Sequence, residues 1–153
     1  MRQALLLITV VALIAAAAAT AALTPTQYRA NLNATCRSFT PKMKAQESAM
    51  TAAQKANNPT AYGQALGRLL LYTLQEDAKI ESTAVPATMR TQMTPIITTL
   101  KKADAHIRAA IQDAVNNDPQ GLAAQLKAAG SVAKGLNAKL DAAGLRDCGS
   151  RQT

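Results

Sequence analysis

Apolar residues recur at three- and four-residue spacing along most of this chain, the period of one face of a helix. Tyr28, Leu32, Cys36, Phe39 and Met43 form the first stripe. Ahead of it, Thr24 can serve as N-cap, Pro25 fits the first turn and Gln27 completes a capping box. Thr40-Pro41 is expected to kink or briefly break this helix, because proline lacks an N–H and restricts the residue before it. Met50 and Ala53 carry the stripe on to Asn57-Asn58-Pro59, a stop signal. Tyr62, Leu66, Leu69, Leu70, Thr73, Leu74 and Ile80 mark a second helix, ended by Ser82-Thr83-Ala84-Val85-Pro86. A third, from about Ala87 to Val115, carries Met89, Met93, Ile96, Leu100, Ala103, Ile107, Ala110 and Ala114, with Pro95 expected to kink its early turns. Asp118-Pro119 opens a fourth. Its stripe is Leu122, Leu126, Ala129, Ala133, Leu136, Leu140 and Ala143, and Gly144 is placed as its C-cap.

Alanine is abundant, β-branched runs are short and glycine-based hairpin turns are absent. The predicted fold is therefore all-α. Four amphipathic helices with short connections pack most simply as an up-down-up-down four-helix bundle.

The N-terminus follows another pattern. Met1-Arg2-Gln3 is basic, Ala4 to Ala19 is apolar apart from Thr9, and Thr20-Ala21-Ala22 is small. These are the three parts of a secretory signal peptide. The expected division is a leader over residues 1–21 and one helical domain over 22–153. An uncleaved N-terminal anchor is the alternative, since Ala4 to Leu23 approaches the ~20 residues that span a bilayer. Small side chains at Ala19 and Ala21 favour cleavage. A lipoprotein needs a cysteine at the cleavage site, and the first here is Cys36.

Export gives the cysteines their meaning. An even pair, Cys36 and Cys148, in an oxidising compartment reads as one disulfide. Closing about 110 residues stabilises by roughly 4–5 kcal/mol in the loop-entropy picture. The pairing also checks the topology. In an up-down-up-down bundle the end of the fourth helix lies beside the start of the first, so the two cysteines can meet.

The chain has 17 basic and 9 acidic residues. Loss of the leader removes Arg2 and no acid, which leaves a charge near +7. The charges are dispersed, with Lys101-Lys102 the one adjacent pair. The aromatic set for base stacking is Tyr28, Phe39, Tyr62 and Tyr72. No nucleic-acid partner is expected. Lys101, Lys102 and Arg108 lie off the third stripe, and Lys127, Lys134 and Lys139 off the fourth. Together they are candidate contacts for anionic envelope polymers or a lipid surface, weak and electrostatic. A protein partner cannot be named from this pattern.

Chemistry-bearing residues are sparse. His106, the one histidine, flanks its stripe beside Asp104 and Arg108, and reads as a boundary side chain without a nucleophile nearby. Bundle metal sites use inward Glu-x-x-His pairs. Here Glu47, Glu76, Asp77, Glu81 and Asp104 read as separated, so no metal, catalytic or cofactor residues are assigned. A haem held by His106 and one of Met43, Met50, Met89 or Met93 is conceivable, but methionines on apolar stripes usually fill cores. Asn33-Ala34-Thr35 matches a glycosylation acceptor inside a predicted helix and carries no weight.

Two end motifs stand out: Tyr28-Arg29-Ala30-Asn31-Leu32-Asn33-Ala34-Thr35-Cys36, and Asn137 to Gly149 with its closing Gly144-Leu145-Arg146-Asp147-Cys148-Gly149. An early Tyr-x4-Asn-x2-Cys with a terminal Gly-Leu-x2-Cys-Gly resembles exported or lipid-anchored Ala-rich helical proteins of GC-rich bacteria, a group without an established activity. Val85-Pro86 is similar to their mid-chain hinge. The resemblance supports the disulfide and the compartment and implies no substrate. The functional expectation is a non-catalytic secreted or cell-envelope module with a binding or structural role. A small-ligand or haem carrier using the bundle core is the alternative, and an enzyme the third.

Overall fold

The computed structural model describes residues 22–149. The expected leader lies outside them. The described chain is an all-α bundle: α1 (Pro25–Lys55), α2 (Pro59–Ser82), a 3-10 turn (Ala87–Met89), α3 (Arg90–Val115), α4 (Pro119–Ala133) and α5 (Leu136–Ala142). No helix among the described residues is long and apolar enough to cross a membrane.

The helices start where local chemistry dictates. Gln27 N–H donates to Thr24 Oγ1 at 3.2 Å, and Thr24 N–H donates back to Gln27 Oε1 at 3.0 Å. This is the capping box that the sequence predicts. Pro41 does not break α1. It is exposed, so water can satisfy the carbonyl that loses its helical donor there. Pro95 is likewise exposed within a continuous α3.

The fourth helix departs from expectation. It is divided at Lys134-Gly135 into α4 and the short α5. Gly135 adopts φ +76°, a left-handed conformation that glycine enters without a Cβ penalty. Leu136, Leu140 and Ala143 still face inward beyond the break, so the sequence stripe survives although the helix does not. Gly144, at φ +80°, ends α5 as predicted.

Two turns have the same construction. Asn57 and Asn117 take φ +49° and +56°. The next residues, Asn58 and Asp118, return their N–H groups to Ala53 and Asp113, both at 2.9 Å. Each then caps the following helix, with Asn58 accepting from Ala61 N and Asp118 from Gln120 N and Gly121 N. Proline follows in both. The turns fold α1 onto α2 and α3 onto α4 as two antiparallel hairpins.

The opposite end is stapled. Cys36 and Cys148 are joined, with their Cα atoms 5.1 Å apart. A disulfide fits an oxidising, extracellular setting. The two end motifs prove to be one joint. Arg29 Nε donates to the Ala143 carbonyl at 2.8 Å, and Asn33 Nδ2 to the Gly144 carbonyl at 2.9 Å. Asp147 N–H donates to Asn33 Oδ1, and Arg37 pairs with Asp147. The Asn33 amide, read from sequence as an acceptor motif without weight, thus clamps the C-terminal segment to α1. Gly149 packs so closely that an added Cβ would fall 2.8 Å from the Asn137 carbonyl oxygen.

Candidate functional site

The apolar interior is not continuous. One cluster surrounds the disulfide and includes Tyr28, Leu32, Ile80, Met93, Ile96 and Leu100. A smaller one near the two hairpin turns comprises Leu70, Leu74, Ile107 and Ala129, with Leu66, Ile111 and Leu126 partly buried against it. On α2 the break falls between Leu74 and Ile80, and on α3 between Leu100 and Ile107. Glu76, Asp77 and Asp104 occupy that gap, at 4 %, 8 % and 6 % exposure. Carboxyls are rarely buried so deeply unless paired, so the bundle has an acidic waist between two apolar ends.

The sequence reads these acids as separated; helix packing brings them together, and that reading is corrected here. Asp77 lies 27 positions before Asp104, yet their carboxyls are hydrogen-bonded across the α2–α3 contact. Burial pushes Asp77 up to about 9, helped by the hydrogen bond to Asp104 and by repulsion from Asp104, Glu76 and Glu81. Burial also raises Asp104, although its hydrogen bond to Asp77 and the charge of Arg108 pull it back. A neutral Asp77 donating to Asp104 accounts for both directions. Glu81 is raised by burial and by Asp104, against the opposing pull of Lys101 and Arg108. Asp104 Oδ1 and Glu81 Oε1 are buried without a hydrogen-bond partner among the described residues. Both residues line one niche of about 220 Å³, together with Lys101, Ala105 and Arg108.

On the inner side, a cleft of about 300 Å³ opens at the waist. Ile80, Leu100, Ile107 and Leu140 are among its apolar walls, and Glu76 and Asp77 contribute its carboxyls. Among the described residues, no lysine, arginine or histidine lines it. The size is at the lower end of small-molecule sites, and the mixture of apolar wall with few polar groups is typical of them. Cys148 lines the cleft too, and a Glu76 oxygen, Cys36 Sγ and Cys148 Sγ lie within 4.8 Å of one another. Both sulfurs are committed to the disulfide, so this trio offers no thiolate to a metal while oxidised.

No protein-family model matches the chain, and searches of curated proteins and of solved structures return no match. The functional reading therefore rests on the cleft and its surroundings.

The residues singled out in the sequence are dispersed. His106 is half-buried, with Nδ1 2.8 Å from Gln125 Oε1 of α4, and lies outside the cleft lining. Its neighbour Asp104 turns instead toward Asp77. Met43 lines the cleft, whereas Met89 and Met93 are in the stapled cluster, so a haem in the cleft would have no imidazole beside it. Lys101, Lys102, Arg108, Lys127, Lys134 and Lys139 are all exposed. Lys101 and Arg108 border the niche of Glu81 and Asp104, which ties two of the six to a local acid group. The acid layer itself escaped sequence reasoning. Its one signal was that Asp77 and Asp104 fall between stripe positions, spaced to continue each stripe inward.

Proposed function

We propose that this protein is an exported, non-catalytic binding module whose site is the waist cleft. Residues 1–21 act as the export leader, and the disulfide suits the destination. One observation carries the reading: a mostly apolar cleft of about 300 Å³ sits where the two apolar clusters fail to meet. A bundle built only for structural support gains by closing such a gap, because unfilled interior forfeits packing contacts. A small, mainly apolar molecule is the occupant that fits. The six exposed cations add weak, salt-screened attraction to an anionic envelope, which holds the module near its working surface.

Gly130 provides a direct test. It lines the cleft, and a Cβ added there meets nothing within 4 Å. The Gly130→Phe variant should fold and fill the space. In a titration with n-octanol followed by amide chemical shifts, the native protein should show saturable changes at Ile80, Leu100, Ile107 and Leu140, and the variant should not. Shifts scattered over the surface, or unaffected by Gly130→Phe, would rule the cleft out as the site.

A further inference from the structure

We infer that the cleft selects an organic cation, namely an apolar body ending in a protonated amine, with the amine held by the acidic waist. This inference rests on the cleft being the binding site and names the chemical class of its ligand. Three observations lead to it. The first is the lining, in which hydrocarbon side chains form most of the wall and the ionisable side chains, Glu76 and Asp77, are both acids. A cationic head on an apolar tail matches that pattern, whereas a carboxylate or phosphate would meet like charge in a low-dielectric site.

The second is an unmet demand for a donor. Asp104 is only 6 % exposed, and its Oδ1 has no hydrogen-bond partner among the described residues. It is hydrogen-bonded to Asp77, which forms part of the cleft wall. Buried acceptors are normally satisfied. Asp104 itself lines the outer niche and not the cleft, so an ammonium reaches the pair through Asp77, where it supplies up to three N–H donors and takes the place of the shared proton.

The third is that, among the described residues, no cation lines the cleft beside Asp77. The charged groups facing Asp77 on α2 are Glu76 and Glu81. On α3 they are Asp104, followed by Lys101 and Arg108 beyond it at the outer niche. The lining residues from α1, α4, α5 and the C-terminal segment include Met43, Gly130, Asn137 and Cys148, and none of them titrates in the oxidised protein. Lys101 and Arg108 are exposed, border the niche of Glu81 and Asp104, and are not among the residues that line the cleft. Asp77 therefore remains available to a cation arriving through the cleft.

Binding then has a proton balance. The ammonium keeps its protons, the aspartate pair loses the one it shares, and that proton passes to solvent. No covalent bond forms or breaks. Affinity should rise with pH between about 6 and 9, while an alkylamine, like a lysine side chain, stays protonated to about pH 10.

A matched series of probes tests this: n-octylammonium, n-octanol and n-octanoate, titrated calorimetrically into the oxidised protein in two buffers of different ionisation heat. At pH 9 the expected order is octylammonium tightest, by roughly tenfold or more over octanol, as for one charge-assisted hydrogen bond, with octanoate weakest, and the margin should shrink towards pH 6 as the pair holds its proton. The buffer difference should report proton release with octylammonium and none with octanol. Asp77→Asn and Glu76→Gln should each reduce the preference for octylammonium over octanol, with circular dichroism and the thermal midpoint checking that the variants fold. Equal affinity for octylammonium and octanol would overturn the cation assignment and leave the cleft standing. Displacement of octylammonium by calcium or zinc at matched ionic strength would replace the organic cation with a metal. Failure of all three probes to bind would remove the cleft reading as well.

Discussion

The two ends of this bundle are built by different means. At the stapled end, a disulfide, the Asn33 clamp and the Arg37–Asp147 pair join the early turns of α1 to the last described residues. A broad cluster of large side chains packs inside. At the other end, the twin turns Asn57-Asn58-Pro59 and Asn117-Asp118-Pro119 close the hairpins over the smaller cluster. Leu71 and Val115, towards that end, remain 50 % and 70 % exposed. Cross-links restrict the unfolded chain at one end, and local turn chemistry directs it at the other. The waist, where neither dominates, is where buried carboxyls and an open cleft are tolerated.

The sharpest way to break this contrast is to remove the staple. Cys36→Ser with Cys148→Ser should lower stability by roughly 2–5 kcal/mol, seen as a large fall in thermal midpoint. Hydrogen exchange should then accelerate most in the early part of α1 and in α5. Uniform acceleration along the chain would show that the two ends do not differ as described.

The turns should respond less. Asn58→Ala and Asp118→Ala each remove one N-cap and should cost about 1 kcal/mol by denaturant unfolding. Because the turns are twins, the two losses should be similar. A loss confined to one variant would mean that the matching backbone geometry conceals unequal roles.

The smallest effect belongs to Tyr28. It is fully buried in the stapled cluster, and its hydroxyl has no partner among the described residues. Tyr28→Phe removes a polar group that gains nothing from burial, so stability should be unchanged or rise by up to about 1 kcal/mol. A clear loss would reveal a hydrogen bond at the hydroxyl and a wetter stapled end.

Much of this fold can be read from local chemistry. Thr24 and Gln27, Asp118 and Pro119, and Gly144 act on neighbours a few residues away, and the structure places them as their types dictate. The Cys36–Cys148 pairing was legible because two cysteines in an exported chain read as one disulfide, and the predicted topology agreed with it. Gly135 was not, since a single glycine in an alanine- and lysine-rich helix is usually tolerated. Asn33 was missed because its partners, Gly144 and Asp147, lie more than 110 positions away. The acid layer was missed for the same reason. Asp77 and Asp104 read as separated acids until α2 and α3 are packed. Long-range juxtaposition of polar groups leaves little trace in periodicity, and the candidate site consists of such groups.

The central claim is that the waist buries a proton-sharing aspartate pair beside an open cleft. Asp77 is raised in the folded state from 3.8 to about 9. Below about pH 4 it is protonated in both the folded and the unfolded chain, so stability is then at its fullest with respect to this group. As pH rises towards 9, the unfolded chain ionises while the folded one does not, and stability falls. Titrating the Asp77 side-chain carboxyl by its carbon chemical shift measures the pair directly. The account predicts a midpoint far above the ordinary aspartate range, near 9, together with a decline in thermal midpoint from pH 4 to 9 that Asp77→Asn reduces. A midpoint near 4, with stability insensitive to that substitution, would contradict it.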